Sequence, residues 1–206
     1  MINARAGWRV WMIWGGVGLA LLVPAGIAAT SPYLPSRSAA YIVAGFAGIV
    51  ALWLMLVQPL LAALWLPGGA PVQARRWHLR AGMALIGAVL LHIGGLYLTS
   101  PPDTVDALLL RSPTPFSVFG VIATWGLVLT GLLVSFRRRW RLRYPLWHML
   151  HNWVALAVVT ATVVHAMQIE GTMGPTSKLL LCVLVVLGTL WSLWDVRVVR
   201  QRRKSR

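Results

Sequence analysis

Four histidines, His78, His92, His151 and His165, repeat one spacing inside two apolar stretches. Within each stretch the two histidines are 14 residues apart, and each histidine of the first lies 73 residues before its counterpart in the second. In a helix, 14 residues rise about 21 Å and return to within about 40° of the starting face. Two parallel helices with this spacing present two facing imidazole pairs, one towards each side of a bilayer. That arrangement suits bis-histidine ligation of two stacked haems. Zinc suits it less, because zinc gathers three or four ligands at one point and these pairs stand about 20 Å apart.

A fifth histidine, His148, precedes His151 by one turn and competes for the same site. It stands 17 residues from His165, which turns it about 100° away from that face, so a supporting role at the interface is expected for it. Arg80, two residues after His78, stands apart from the other arginines inside an apolar segment. A guanidinium there could grip a haem propionate, or could simply hold the helix in orientation; the sequence leaves both open. Gly82, Gly95, Ala155 and Ala161 follow or precede the histidines at helical spacing, which would clear space for a flat macrocycle or allow close helix packing. Trp147 and Trp153 flank His151 and could line its pocket, while most of the 12 tryptophans read as interface anchors.

The elements needed to position these residues are membrane helices. Of 206 residues, 58% are apolar and only 11% charged, with mean hydropathy +0.73, whereas a soluble domain carries about a quarter charged residues. Six apolar runs are long enough to span: Val10–Ala29, Ala39–Leu66, Trp77–Thr99, Pro115–Phe136, Pro145–Met167 and Pro175–Trp194. Proline and glycine punctuate the connections, including Gly68, Gly69, Pro101 and Pro102. The expected fold class is an all-α membrane protein, a six-transmembrane-helix bundle forming a single domain over residues 1–206. Its first span reads as an uncleaved helix rather than a signal peptide.

The net charge of +15 could suggest nucleic acid, but its distribution excludes that partner: the basic residues flank apolar runs. Sixteen Lys and Arg fall on one side of the alternating topology and three (Arg37, Arg111, Lys178) on the other. The positive-inside rule therefore places both termini in the cytoplasm of a multi-pass cell-membrane protein, expected in a bacterial inner membrane. The third and fifth spans then run in the same direction, as the histidine spacing requires. Lys178 must reach back to the interface from the last span. The single Cys182 can form no intrachain disulfide, and no CxxCH motif is present, so any haem is b-type and non-covalent. Cys182 itself reads as a small buried apolar residue.

The segments RRWHLRAGMALIGAVLLH (Arg75–His92) and YPLWHMLHNWVALAVVTATVVH (Tyr144–His165) resemble the ferric reductase-like transmembrane family. That family includes ferric-chelate reductases, the membrane part of NADPH oxidases and the haem subunit of a periplasmic methionine sulfoxide reductase system. The resemblance covers about residues 39–197, the expected haem-binding core, and the stretch from Trp147 to Asn152 is most similar to the sulfoxide reductase subunit. It implies that His78, His92, His151 and His165 ligate two haems, and that electrons pass from the cytoplasmic to the outer face. Many relatives carry a cytoplasmic flavin and nucleotide module after the last span. No GxGxxG fingerprint follows it here, so the expected donor is a separate flavin or NAD(P)H reductase, or a membrane quinol, and the expected acceptor is at the outer face, a periplasmic protein among the possibilities. A transporter or proton channel built on histidine relays is the rival from another class. It is disfavoured because Asp103, Asp106, Glu170 and Asp195 all lie outside the middle of the spans. The connection Ser100–Pro115 is expected to be a loop over the outer site.

Overall fold

A computed structural model describes residues 4–204, with side chains from residue 7 to residue 195. The order of elements is α1 (Ala4–Ala29), a single 3-10 turn (Leu34–Ser36), α2 (Ala39–Ala62), α3 (Pro71–Thr99), α4 (Pro101–Leu108), α5 (Pro115–Phe136), α6 (Tyr144–Gln168) and α7 (Pro175–Lys204). Six of these helices are long and apolar enough to cross a membrane, and no strand occurs among the described residues. The expected all-α, six-span architecture is therefore observed.

Local chemistry sets the helix ends. Proline occupies one of the first two positions of α3, α4, α5 and α6, where its missing N–H costs no helical bond. The Ser38 hydroxyl caps α2 by accepting from Tyr41 N. Several hydroxyls within the spans bond back one turn, Thr99 to Gly95, Thr124 to Gly120, Thr130 to Gly126 and Thr189 to Val185, so these four do not meet lipid unpaired.

Four boundaries differ from the sequence expectation, the first being the start of α1, at Ala4 rather than Val10. The second span stops at Ala62 rather than Leu66, because Leu64 turns into the left-handed region (φ 61°) and Gly68 follows at φ 104°. The third begins at Pro71, so Arg75 and Arg76 belong to its first turns rather than to a loop. The last continues past Trp194 to Lys204. The connection Ser100–Pro115 is also not simply a loop, since Pro101–Leu108 forms α4.

The core is centred on α2, half of whose spanning window is buried. It packs against α1, α3 and α7. Leu52, Met55 and Leu56 of α2 meet Leu181, Cys182 and Val185 of α7, with Leu85 of α3 and Val158 and Val159 of α6 completing the cluster. Cys182 is thus a core residue. The other close pair is α5 with α6, and α7 bridges the two pairs through α2 and α6. Indole N–H groups tie neighbouring elements together: Trp53 donates to Val17 O at 2.8 Å and Trp14 to Pro67 O at 3.2 Å. Lys178 solves its problem in the last span by bonding the Ile169 carbonyl at 2.5 Å, at the end of α6, where a cation offsets the helix dipole.

Candidate haem site: two imidazole pairs

The histidine helices α3 and α6 each pack chiefly against another partner, α2 and α5 respectively, and face each other through their imidazoles. His78 meets His151 with ring centroids 6.3 Å apart and planes at 72°; His92 meets His165 at 6.4 Å and 84°. First pairs with first and second with second, so α3 and α6 run parallel, as the spacing required. The His78–His151 pair lies at the arginine-rich end of the bundle, and His92–His165 at the far end.

The ring separations can be compared with a metal bond. Centroids 6.3 and 6.4 Å apart are close enough for the two rings of each pair to share one metal ion, given metal–imidazole bonds of about 2.1 Å. Three of the four Nδ1 atoms are held by backbone carbonyls, as a metal site requires of its ligands. The Nδ1 of His78 lies 3.1 Å from Gln58 O, that of His92 2.7 Å from Ala44 O, and that of His165 2.7 Å from Phe116 O. A carbonyl on Nδ1–H fixes the tautomer and leaves Nε2 as the coordinating nitrogen. No three metal-ligating side chains converge among the described residues, and each site offers a pair of imidazoles, a donor set that would fit a haem iron.

The glycines that matter to the rings were not among those singled out from the sequence. A Cβ on Gly48 would meet His92 Nδ1 at 3.2 Å, and one on Gly120 would meet His165 Nδ1 and Cε1 at 2.8 Å. Each glycine sits one turn after the carbonyl that holds the same ring, Ala44 and Phe116. The signal was present: Gly48 and Gly120 are 72 residues apart, nearly the histidine offset. Gly82 and Gly95 serve close packing instead. A Cβ on Gly82 would lie 3.0 Å from Gln58 Nε2, and one on Gly95 would lie 2.7 Å from Ala40 O. Ala161 is buried and Ala155 half-buried on α6.

His151, rather than His148, faces His78. His148 turns aside to Asn152, whose Nδ2 lies 3.1 Å from its Nδ1, and to the rings of Tyr144 and Trp147. Trp147 stacks on His151, whereas Trp153 is exposed. Arg80 is exposed with its guanidinium over the Trp77 ring at 5.4 Å, and no contact among the described residues turns it towards the His78–His151 pair. Arg137, at the C-terminal end of α5, covers Trp147 at 4.7 Å and Tyr144 at 5.1 Å. It also lines a cavity of about 570 Å³ at the α5–α6 turn, together with Val134, Ser135, Arg138, Arg141 and Leu142.

A family model described as "Ferric reductase like transmembrane component" matches residues 45–162, from the first turns of α2 into α6. The match includes His78, His92 and His151 and stops three residues before His165. No curated protein and no solved structure matches the chain.

Proposed function

Because the chain belongs to the ferric reductase-like transmembrane component family, we propose that it is a diheme b-type electron conduit, with His78 and His151 holding one haem and His92 and His165 the other. The observation that carries this reading is the pair of imidazole separations, 6.3 and 6.4 Å, combined with carbonyls on three of the four Nδ1 atoms. Each bound haem supplies a one-electron ferric/ferrous couple, whose potential responds to its ligands and surroundings.

The chain's own residues do the rest. α2 and α5 orient three of the four imidazoles through backbone carbonyls, and Gly48 and Gly120 let the His92 and His165 rings sit against the helix. The apolar bodies of the helices keep water from the space between the rings. The haem-binding core is residues 39–197, with α1 packed outside it. His148 supports the arginine-rich end through Asn152, and Arg80 remains a partner for a propionate.

The positive-inside rule places the arginine-rich end and both termini in the cytoplasm of a bacterial inner membrane. There the arginine-lined cavity at the α5–α6 turn suits an anionic donor, a separate flavin or NAD(P)H reductase, with a membrane quinol as the alternative donor. Electrons leave at the far end, to a periplasmic acceptor. The chain is then an electron-transfer subunit or the membrane part of a ferric reductase-type oxidoreductase.

A pyridine haemochrome assay on the purified full chain tests the proposal. It should give about two haems per polypeptide with low-spin spectra, as two imidazoles on each iron would give. His78→Ala and His92→Ala should each remove one. A stoichiometry near one with His78→Ala harmless would retire the arginine-rich site, and no haem at all would sink the reading.

A further inference from the structure

The two histidine pairs are not built alike. Three of the four imidazoles have a backbone carbonyl on Nδ1, from Gln58, Ala44 and Phe116. The Nδ1 of His151 is buried and has no hydrogen-bond partner among the described residues. Its ring lies against the Trp147 indole instead, with centroids 5.4 Å apart and planes within 11° of parallel. Trp147 is one helical turn earlier on α6, and its Nε1 donates to Leu133 O of α5 at 3.2 Å. So α5 holds His165 by a carbonyl directly, but holds His151 only through an intervening indole.

The two kinds of support differ chemically. A carbonyl on Nδ1–H fixes a metal-bound imidazole's orientation and raises its basicity, which favours the more oxidised metal. A stacked indole fixes orientation without that electron push. The far-end pair has two carbonyls and the arginine-rich pair has one. The charge surroundings act in the same direction, since Arg137 lies 4.7 Å over Trp147 and positive charge favours the reduced metal.

We propose that Trp147 is the positioning residue of the arginine-rich site, standing in for the carbonyl that His151 lacks, and that the haem held there has the higher reduction potential of the two. The proposal rests on the reading of the pairs as haem ligands.

Spectroelectrochemical titration and low-temperature EPR of the purified full chain test it. Wild-type protein should titrate in two waves, and His92→Ala, which keeps only the arginine-rich site, should retain the higher one. Trp147→Leu should shift the EPR signal of that site and speed transfer of its haem to apomyoglobin about tenfold, the usual scale for losing a residue that supports a ligand. Trp147→Phe, which keeps an aromatic face, should stay near wild type, and the far-end signal should be unchanged in both. Superimposed waves in the wild type, retention of the lower wave by His92→Ala, or a Trp147→Leu protein with unchanged signal and transfer rate would each overturn the proposal. Should Trp147→Leu fail to fold, the wild-type and His92→Ala titrations still decide the order of potentials. Wild-type protein without any haem would instead defeat the functional reading itself, an outcome distinct from two haems of equal potential.

Discussion

The His165 imidazole packs against the bare Cα of Gly120 so closely that a methyl group there would stand 2.8 Å from Nδ1 and Cε1 of the ring. The same helix supplies the Phe116 carbonyl to that Nδ1. One turn of α5 therefore gives this imidazole both its seat and its hydrogen bond.

Gly120→Ala should displace the ring and strip the far-end haem, leaving the other site spectrally intact. Gly48→Ala should be milder, because its Cβ would stand 3.2 Å from His92 Nδ1, a contact relieved by a shift of a few tenths of an ångström. Haem content per chain after purification checks both. Equal loss in the two variants would separate retention from these contacts.

Gly95→Ala should destabilise the fold by about 1–3 kcal/mol, the usual cost of overpacking. The added methyl would lie 2.7 Å from Ala40 O and 2.9 Å from Ala44 Cβ, neither of which can swing away, so α2 and α3 must part. Gly87, where a methyl group would meet nothing within 4 Å, should accept alanine without loss. Thermal unfolding of the two variants in the same detergent makes the comparison; equal midpoints would show that α2 and α3 are not in tight register.

Lys178→Met should loosen the end of α6 by about 1–2 kcal/mol, since the Ile169 carbonyl loses a charged donor. Hydrogen exchange at residues 165–169 should speed up, with little change in α5. Unchanged exchange there would mean that the lysine merely lies along the surface.

His148→Ala should leave both haems bound, whereas His151→Ala removes the one at the arginine-rich end, because His151 faces His78 and His148 turns to Asn152. Haem retained in His151→Ala and lost in His148→Ala would reverse the assignment.

Vectorial transfer should follow the charge asymmetry of sixteen basic residues against three. In oriented vesicles, reductant at the arginine-rich face should reduce both haems, and an impermeant acceptor should reoxidise them only from the other face. Shortening residues 102–112, which include most of α4 with its exposed Val105 and Leu108 and the exposed Leu109 and Leu110 that follow it, should slow that reoxidation with haem content intact. Reoxidation from both faces alike would defeat vectorial transfer, and unaltered kinetics after the deletion would exclude α4 from acceptor docking.

The histidine pairs and the six spans were legible because both are periodic along one chain, and period survives without any knowledge of partners. What sits against a ring is another matter. Gly48, Gly120 and the carbonyls of Ala44, Gln58 and Phe116 act across a helix interface, so nothing in their own segments marks them, apart from the 72-residue offset of the two glycines. Trp147 against His151 is an i, i+4 pair and could be read as such, but Arg137 reaches it across a turn that the sequence left unshaped. α4 was missed because eight residues carry too little pattern, although Pro101 and Pro102 at its start and the Ser100 hydroxyl bonded to Asp103 at 2.6 Å mark a helix N-terminus.

The pairing of α2 with α3 and of α5 with α6 has a consequence for biogenesis. Each pair is a hairpin of sequence neighbours, and His92 and His165 find their carbonyls inside their own hairpin. These two imidazoles therefore take their orientation from the hairpin that carries them, which suits helices that form first and associate afterwards. His78 is likewise oriented within its own hairpin, by Gln58. Only where the second hairpin meets the first do the imidazoles face one another, so a chain arrested after α3 should carry His78 and His92 with nothing opposite them.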